Sequence, residues 1–171
     1  GDEEVRIRIT AAGVCHSDLH VVRGDWVGMP SRWGLGVAGH EAIGIVEELG
    51  PGAEHYVAVG DRVILGLGGL GGYWCGACEF CLGGEPRHCS QAEGIHGTFV
   101  EQLCLWAKAL VKLPDTVGDE EAGLSCGGLT AYGAVKKLFK HHILPGRHVA
   151  IVGAPGGPRP LRRPDRDDLR L

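Results

Sequence analysis

Short alternating runs of apolar and polar residues dominate the first two thirds of the chain. The run from Val5 to Ile9 alternates from its first residue, and further β-like runs span Ala42 to Leu49, Arg62 to Leu65, Phe99 to Trp106 and Ala109 to Leu113. Alternation with a period of two residues is typical of strands that bury one face. The pattern predicts a mainly β domain, built as a small barrel or sandwich.

The pattern changes after Asp119. Glu120 and Glu121 suit the N-terminus of a helix, and Leu129 to Phe139 has helical spacing. The apolar run from His148 to Val152 then predicts a buried strand. Because a glycine cluster follows it, this run is typical of the opening of a dinucleotide-binding βαβ unit.

Composition narrows the functional classes. The chain has 171 residues, 44% of them apolar, with 30 glycines and a formal net charge of −4. Many glycines fit an irregular β-rich body, and the acidic balance argues against a surface that follows nucleic-acid phosphates. No apolar run reaches the length of a membrane span, and no segment resembles a targeting peptide. We therefore expect a cytoplasmic protein with neither nucleic acid nor membrane as a partner.

Four cysteines lie close together in the pattern C-x2-C-x2-C-x7-C. Zn²⁺ prefers a tetrahedron of thiolates at about 2.3 Å, and closely spaced cysteines on glycine-rich turns can converge on one ion. Two disulfides are the alternative, and they require an oxidising compartment. We predict a structural zinc lobe over residues 75–89, with the ligands Cys75, Cys78, Cys81 and Cys89. Zinc ribbons that bind nucleic acid share such spacings, so the lobe alone does not define a function.

A second set of metal-ligand residues comes from three separate segments. Cys15, His40 and Cys126 offer two thiolates and one imidazole. Such a set leaves zinc an open fourth position, which a catalytic site needs in order to bind substrate. Free cysteines and histidines that are simply packed are the alternative interpretation.

Several motifs follow one another in a characteristic order. They are Gly39-His40-Glu41-Ala42-Ile43-Gly44, Val59-Gly60-Asp61-Arg62-Val63, the four-cysteine lobe, Gly97-Thr98-Phe99-Val100-Glu101, and a stretch from Cys126 to Thr130-Ala131-Tyr132. Up to about Gly157 the chain resembles the zinc-dependent medium-chain alcohol dehydrogenases. The resemblance implies a GroES-like β-barrel catalytic domain followed by only the first strand of a Rossmann-type domain. It also implies two zinc ions per chain, NAD or NADP as coenzyme, an alcohol, aldehyde or ketone as substrate, and a homo-oligomer.

The resemblance assigns the metal ligands and their neighbours. Cys15, His40 and Cys126 match the catalytic zinc ligands, and Glu41 matches an acid that approaches the metal while the open position is exchanged. Asp18 matches the acid that orients the histidine ligand. The structural zinc ligands match Cys75, Cys78, Cys81 and Cys89.

It also assigns the residues around substrate and coenzyme. Ser17 matches the hydroxyl that hydrogen-bonds the alcohol, and His20 matches the outer member of a proton relay to solvent. His16 occupies a position near the coenzyme phosphates, with an exposed loop histidine as the alternative. The part of the phosphate-binding loop that matches consists of Gly153, Gly156 and Gly157.

The predicted organisation has four parts. Residues 1–118 form the GroES-like zinc-binding domain, 119–147 form linking helices that carry Cys126, 148–157 begin a dinucleotide-binding domain, and 158–171 form an unrelated disordered tail. Arg159 stands where the phosphate loop expects its last glycine. If the arginine codons belong to the CGN set, reading the tail one base later can spell Leu-Gly-His, which the family has there.

That departure leads to a hypothesis about activity. A one-base frameshift, in the gene or in its assembly, would explain the sequence after Gly157. We therefore expect this chain to encode the family's chemistry without carrying it out. A non-catalytic zinc-binding or interaction module is the alternative, whereas the set Cys15, His40 and Cys126 disfavours a nucleic-acid zinc ribbon.

Overall fold

The computed structural model describes residues 1–25, 38–65, 72–94, 97–143 and 146–151. Within these ranges the strands are β1 (Glu4–Gly13), β2 (Glu41–Leu49), β3 (Arg62–Leu65), β4 (Gln102–Trp106) and β5 (Leu110–Lys112). The α-helices are α1 (His16–Arg23), α2 (Glu79–Leu82) and α3 (Gly127–Lys140). Short 3-10 helices span Ala53–His55, Pro86–His88, Ala107–Ala109 and Asp119–Ser125.

The strands form one antiparallel sheet in the order β4-β1-β2-β3-β5. Its edge strands β4 and β5 follow each other in the chain, joined only by Ala107–Ala109. The edges of a flat five-stranded sheet would lie about 19 Å apart, whereas a 3-10 helix of this length advances only about 6 Å. The sheet is therefore strongly curled, and the predicted mainly β fold is confirmed.

The concave face of this curl holds the main core. Alternate residues of the strands point inward, as the period of two requires, and two alanines of Ala107–Ala109 join them. The buried cluster consists of Val5, Ile7, Ala42, Val46, Ala53, Val57, Val63, Leu65, Leu105, Ala107 and Ala109. Small residues where β4 turns into β5 allow the edges to approach closely.

The opposite face of β2 and β3 is covered by the 3-10 helix Asp119–Ser125. Ala122 of that helix packs with Ile43 and Ile64 in a second buried cluster. Arg62 of β3 donates to Asp119 Oδ1 from Nη2 at 2.6 Å and from Nε at 3.0 Å. The Arg62 guanidinium lowers the pKa of the Asp119 carboxyl, so the two side chains remain oppositely charged at neutral pH. These contacts fix where Cys126, the next residue after the helix, lies.

The chain divides into two compact units, Gly1–Leu129 and Thr130–Leu171. The boundaries between the four predicted parts remain predictions. Helix α3 forms where helical spacing predicted it. None of the described helices is long and apolar enough to cross a membrane.

The predicted strand from His148 to Val152 is wrong for the residues described. Residues 148–151 carry no strand, and Val149 and Ile151 are 50% and 72% exposed. A strand needs a neighbour to hydrogen-bond, and none pairs with this segment among the described residues. The predicted coenzyme-loop residues Gly153, Gly156 and Gly157 and the tail 158–171 lie outside the described residues.

The tight packing of β1 against β2 predicts an intolerant position at Gly44. A Cβ there would lie 2.5 Å from the main-chain carbonyl oxygen of Arg8, which cannot move without breaking the ladder. We expect Gly44→Ala to lower the free energy of unfolding by about 1–3 kcal/mol. Urea unfolding followed by tryptophan fluorescence at fixed zinc concentration measures it.

Gly133→Ala is the matched control. Gly133 lies in α3, and no heavy atom lies within 4 Å of a Cβ built there. Alanine favours helix by about 1 kcal/mol over glycine, so this variant should be at least as stable as wild type. Equal stability of Gly44→Ala and wild type would contradict the packing argument.

Candidate metal centres

Helix α1 begins at Cys15, which is its N-cap in extended conformation. The Cys15 N–H donates to Asp18 Oδ2 at 2.9 Å, and this reciprocal capping box fixes the first turn. The helix ends at Gly24, whose φ of 70° suits glycine. The Cys15 sulfur is thereby held at the first turn of α1.

Asp18 also reaches the loop before β2. Its Oδ1 accepts hydrogen bonds from the Gly39 N–H at 3.0 Å and from His40 Nδ1 at 3.0 Å. Asp18 and His40 are each only 4% exposed. Because a carboxylate accepts from Nδ1–H, the imidazole presents the lone pair of Nε2, which is the form that binds a metal.

Four side chains converge beside this pair. One ligand atom each from Cys15, His40, Glu41 and Cys126 lies within 4.8 Å of every other. They come from the N-cap of α1, the start of β2 and the end of the 3-10 helix Asp119–Ser125. We call this group the two-thiol centre.

The electrostatics of the two-thiol centre favour a cation. Burial raises the pKa of the Glu41 carboxyl and raises the pKa of Cys126 to about 12. Without a positive charge, the Cys126 thiol therefore stays protonated at neutral pH. A divalent ion converts such a thiol to thiolate, and two sulfurs, one imidazole and one carboxylate form a donor set that suits zinc.

The four cysteines of the loop form a second group, which we call the four-thiol centre. The ligand atoms of Cys75, Cys78, Cys81 and Cys89 all lie within 4.8 Å of one another. The Cys75 sulfur lies 3.5 Å from that of Cys89 and 3.9 Å from that of Cys81. A zinc tetrahedron with bonds of about 2.3 Å has edges of about 3.8 Å. The measured separations of the sulfurs therefore fit one zinc ion.

Main-chain N–H groups tune the thiols of the four-thiol centre. The N–H groups of Ala77 and Cys78 hydrogen-bond the Cys75 sulfur and lower the pKa of that thiol to about 6. Removal from solvent raises the pKa of Cys81 to about 12. In the metal-free protein Cys75 therefore ionises at much lower pH than Cys81, and its thiolate can capture an incoming cation.

Comparison with known proteins matches this geometry to a family. Residues 1–115 match the family model of the alcohol dehydrogenase GroES-like domain. The chain belongs to this alcohol dehydrogenase family. Alcohol dehydrogenases of this kind are NAD(P)-dependent oxidoreductases.

Relatives of this chain share its sequence and fold over their first half. An alcohol dehydrogenase of Geobacillus stearothermophilus is 40% identical over 158 residues, which cover 90% of this chain and 44% of that protein. The structure of a cinnamyl alcohol dehydrogenase from Sorghum bicolor superposes with a TM-score of 0.72 at 27% identity. The match covers 86% of this chain and 43% of that protein. The structure of an NAD-dependent alcohol dehydrogenase superposes with a TM-score of 0.69 at 34% sequence identity, and the match covers 85% of this chain and 41% of that protein. The chain thus spans less than half the length of these relatives.

The structure also places the remaining candidate residues of this chain. Ser17 and His20 are half-buried on α1, and His16 is exposed. The His16 and His20 rings stack with centroids 4.7 Å apart, and His20 Nδ1 lies 2.9 Å from Asp25 Oδ2. The sequence reasoning missed Asp25 and the helix itself. An aspartate three residues after Cys15 and the glycine at position 24 were available as capping signals.

The thiol pKa values give a testable order of reactivity. In metal-free protein we expect iodoacetamide to alkylate Cys75 first as pH rises, with half-maximal rate near pH 6, because the thiolate forms above its pKa of about 6. Cys81 and Cys126, whose pKa values are raised to about 12, should remain unmodified at neutral pH. Peptide mapping by mass spectrometry identifies each site.

Cys104 is the internal control, because it is exposed and belongs to neither centre. Added zinc should protect Cys75 and leave alkylation of Cys104 unchanged. Protection of both thiols, or late reaction of Cys75, would contradict the assignment.

Proposed function

We propose that this chain supplies the zinc-binding catalytic half of an NAD(P)-dependent alcohol dehydrogenase that interconverts an alcohol with an aldehyde or ketone. The observation that carries this proposal is the two-thiol centre, where Cys15, His40 and Cys126 converge beside Glu41. An imidazole oriented by a buried carboxylate is typical of a metal ligand, and a packed histidine has no need of it.

We further propose two zinc ions for each chain. Cys15, His40 and Cys126 would hold the catalytic ion, and Glu41 lies close enough to approach it when no substrate is bound. The four-thiol centre would hold a structural ion, since four thiolates leave no position open. The linking role proposed for residues 119–147 fits the position of Cys126 directly after the 3-10 helix Asp119–Ser125.

Residues of α1 fit the handling of the substrate proton. Bound zinc supplies Lewis acidity that lowers the pKa of an alcohol hydroxyl, and a nicotinamide coenzyme accepts the hydride. Ser17 accepts the hydroxyl proton in a hydrogen bond and passes it towards His20, one helical turn further along the same face. Asp25 orients the His20 imidazole through Nδ1. The other ring nitrogen, Nε2, can then receive the proton and release it at the protein surface. Carbonyl reduction uses the same groups in reverse.

The coenzyme side of the proposal rests on fewer residues. His16 is the first residue of α1 and is exposed, so its imidazole and the helix dipole suit a phosphate group. Gly153, Gly156 and Gly157 would begin the phosphate loop. Because Arg159 replaces the last expected glycine, we expect the chain alone to bind coenzyme poorly and to show no turnover.

Metal analysis combined with coenzyme titration tests this function. We expect two zinc ions per chain, because each centre brings its ligand atoms within 4.8 Å of one another. A single ion held only by the four cysteines would contradict the catalytic assignment. Assays of alcohol oxidation with NAD and with NADP then separate a catalytic half from a zinc module of another kind. Turnover by the chain alone would contradict the expected loss of activity.

Asp18→Asn tests the two-thiol centre specifically. Asp18 accepts from three N–H donors, so an amide must turn its NH₂ towards at least one of them. We expect zinc affinity at this centre to fall about 10- to 100-fold, with no change at the four-thiol centre. Competition with a chromogenic chelator measures both affinities.

Asp115→Asn is the matched control, since Asp115 is exposed and contributes a ligand atom to neither centre. It makes the same change of charge and should leave both zinc affinities as in wild type. Equal losses in the two variants would show that net charge, rather than the Asp18 contacts, controls binding.

A further inference from the structure

The segment before β2 has a second support besides Asp18. Gly97 and Thr98 donate their N–H groups to the Gly39 carbonyl at 2.9 Å and 3.3 Å, and the Phe99 N–H donates to the Ala38 carbonyl at 3.3 Å. These three bonds join residues far apart in sequence. They hold the backbone that immediately precedes the His40 ligand.

The side chain of Thr98 contacts the two residues that flank His40. It is 0% exposed, and its Oγ1 donates to the Glu41 carbonyl at 3.3 Å. Gly39 has φ +93°, and a Cβ built on it would lie 2.3 Å from Thr98 Oγ1. Thr98 therefore contacts the backbone on both sides of His40, at Gly39 by close packing and at Glu41 by a hydrogen bond.

We infer that Thr98 is a positioning residue for the two-thiol centre. Its hydroxyl fixes the Glu41 carbonyl, so the two neighbouring ligand side chains, His40 and Glu41, leave the backbone in a set direction before a metal arrives. Asp18 fixes the His40 ring, whereas Thr98 fixes the main chain that carries it. The inference rests on the proposed function in one respect, namely that the two-thiol centre binds a metal.

Loss of the hydroxyl should act through preorganisation. Without that donor, the buried Glu41 carbonyl lacks this hydrogen bond, and the segment 39–41 samples positions in which the ligands do not converge. Metal binding must then restrict the segment, which weakens affinity at this centre. The four-thiol centre shares no residue with the segment and should not respond.

A cobalt titration of Thr98→Val and Thr98→Ser tests the inference. Valine keeps the shape and removes the hydroxyl, whereas serine keeps the hydroxyl and removes the methyl group. Co²⁺ is the probe, because two-thiolate and four-thiolate sites differ in charge-transfer intensity and in d–d bands. We expect Thr98→Val to weaken Co²⁺ binding at the two-thiol centre about three- to tenfold and to alter its d–d bands. Thr98→Ser should restore the wild-type bands.

The outcomes separate the possible failures. Wild-type binding and bands in Thr98→Val, or equal weakening at both centres, would overturn the positioning role. Loss in Thr98→Ser with none in Thr98→Val would show that Thr98 acts only by packing and would also overturn it. Cobalt binding at the four-thiol centre alone in wild type would refute the proposed function, and this inference with it. If Thr98→Val does not fold, Thr98→Ala enters the same titration.

Discussion

One carboxylate joins the parts of the two-thiol centre. Asp18 accepts hydrogen bonds from the Cys15 N–H, the Gly39 N–H and His40 Nδ1, which belong to a helix cap, a loop and a ligand side chain. A buried carboxylate is costly unless it is paired with donors, and three donors meet that requirement. Two of these bonds, from the Gly39 N–H and from His40 Nδ1, also bring α1 to the start of β2. The carboxylate that caps α1 is thus the same group that positions the ligands of the metal site.

The curled sheet brings the remaining ligand to the same place. Ala122 packs on Ile43 and Ile64, and the Arg62–Asp119 pair ties the 3-10 helix to β3. Apolar burial therefore decides that the helix lies on the outer face of the sheet, and Cys126 follows it at the edge of the site. The ligands do not draw these segments together by themselves, because Glu41 and Cys126 resist ionisation when buried without a cation. Packing supplies the proximity, and a metal would supply the charge.

The four-thiol centre depends on much less. Its ligands lie within residues 75–89, on turns and short helices, and main-chain N–H groups at Ala77 and Cys78 prepare one sulfur for ionisation. Closing so short a loop costs little conformational entropy, so a metal can organise it locally. The two centres therefore have different relations to the fold. The four-thiol centre can be organised by its own ion, whereas the packing of the core forms the two-thiol centre.

The sequence by itself determined what is local. Apolar alternation located β3 at its observed bounds and β2 within one residue, and cysteine spacing predicted the four-thiol centre without a fold. Only the tertiary structure decided the rest. The one buried residue of helix α1 is the polar Asp18, so no buried apolar face marks this helix. The predicted strand at Phe99 begins later, at Gln102, because the N–H groups of residues 97–99 bond the backbone beside His40 instead. The convergence of Cys15, His40 and Cys126 depends on contacts between distant segments, and no spacing along the chain encodes such contacts.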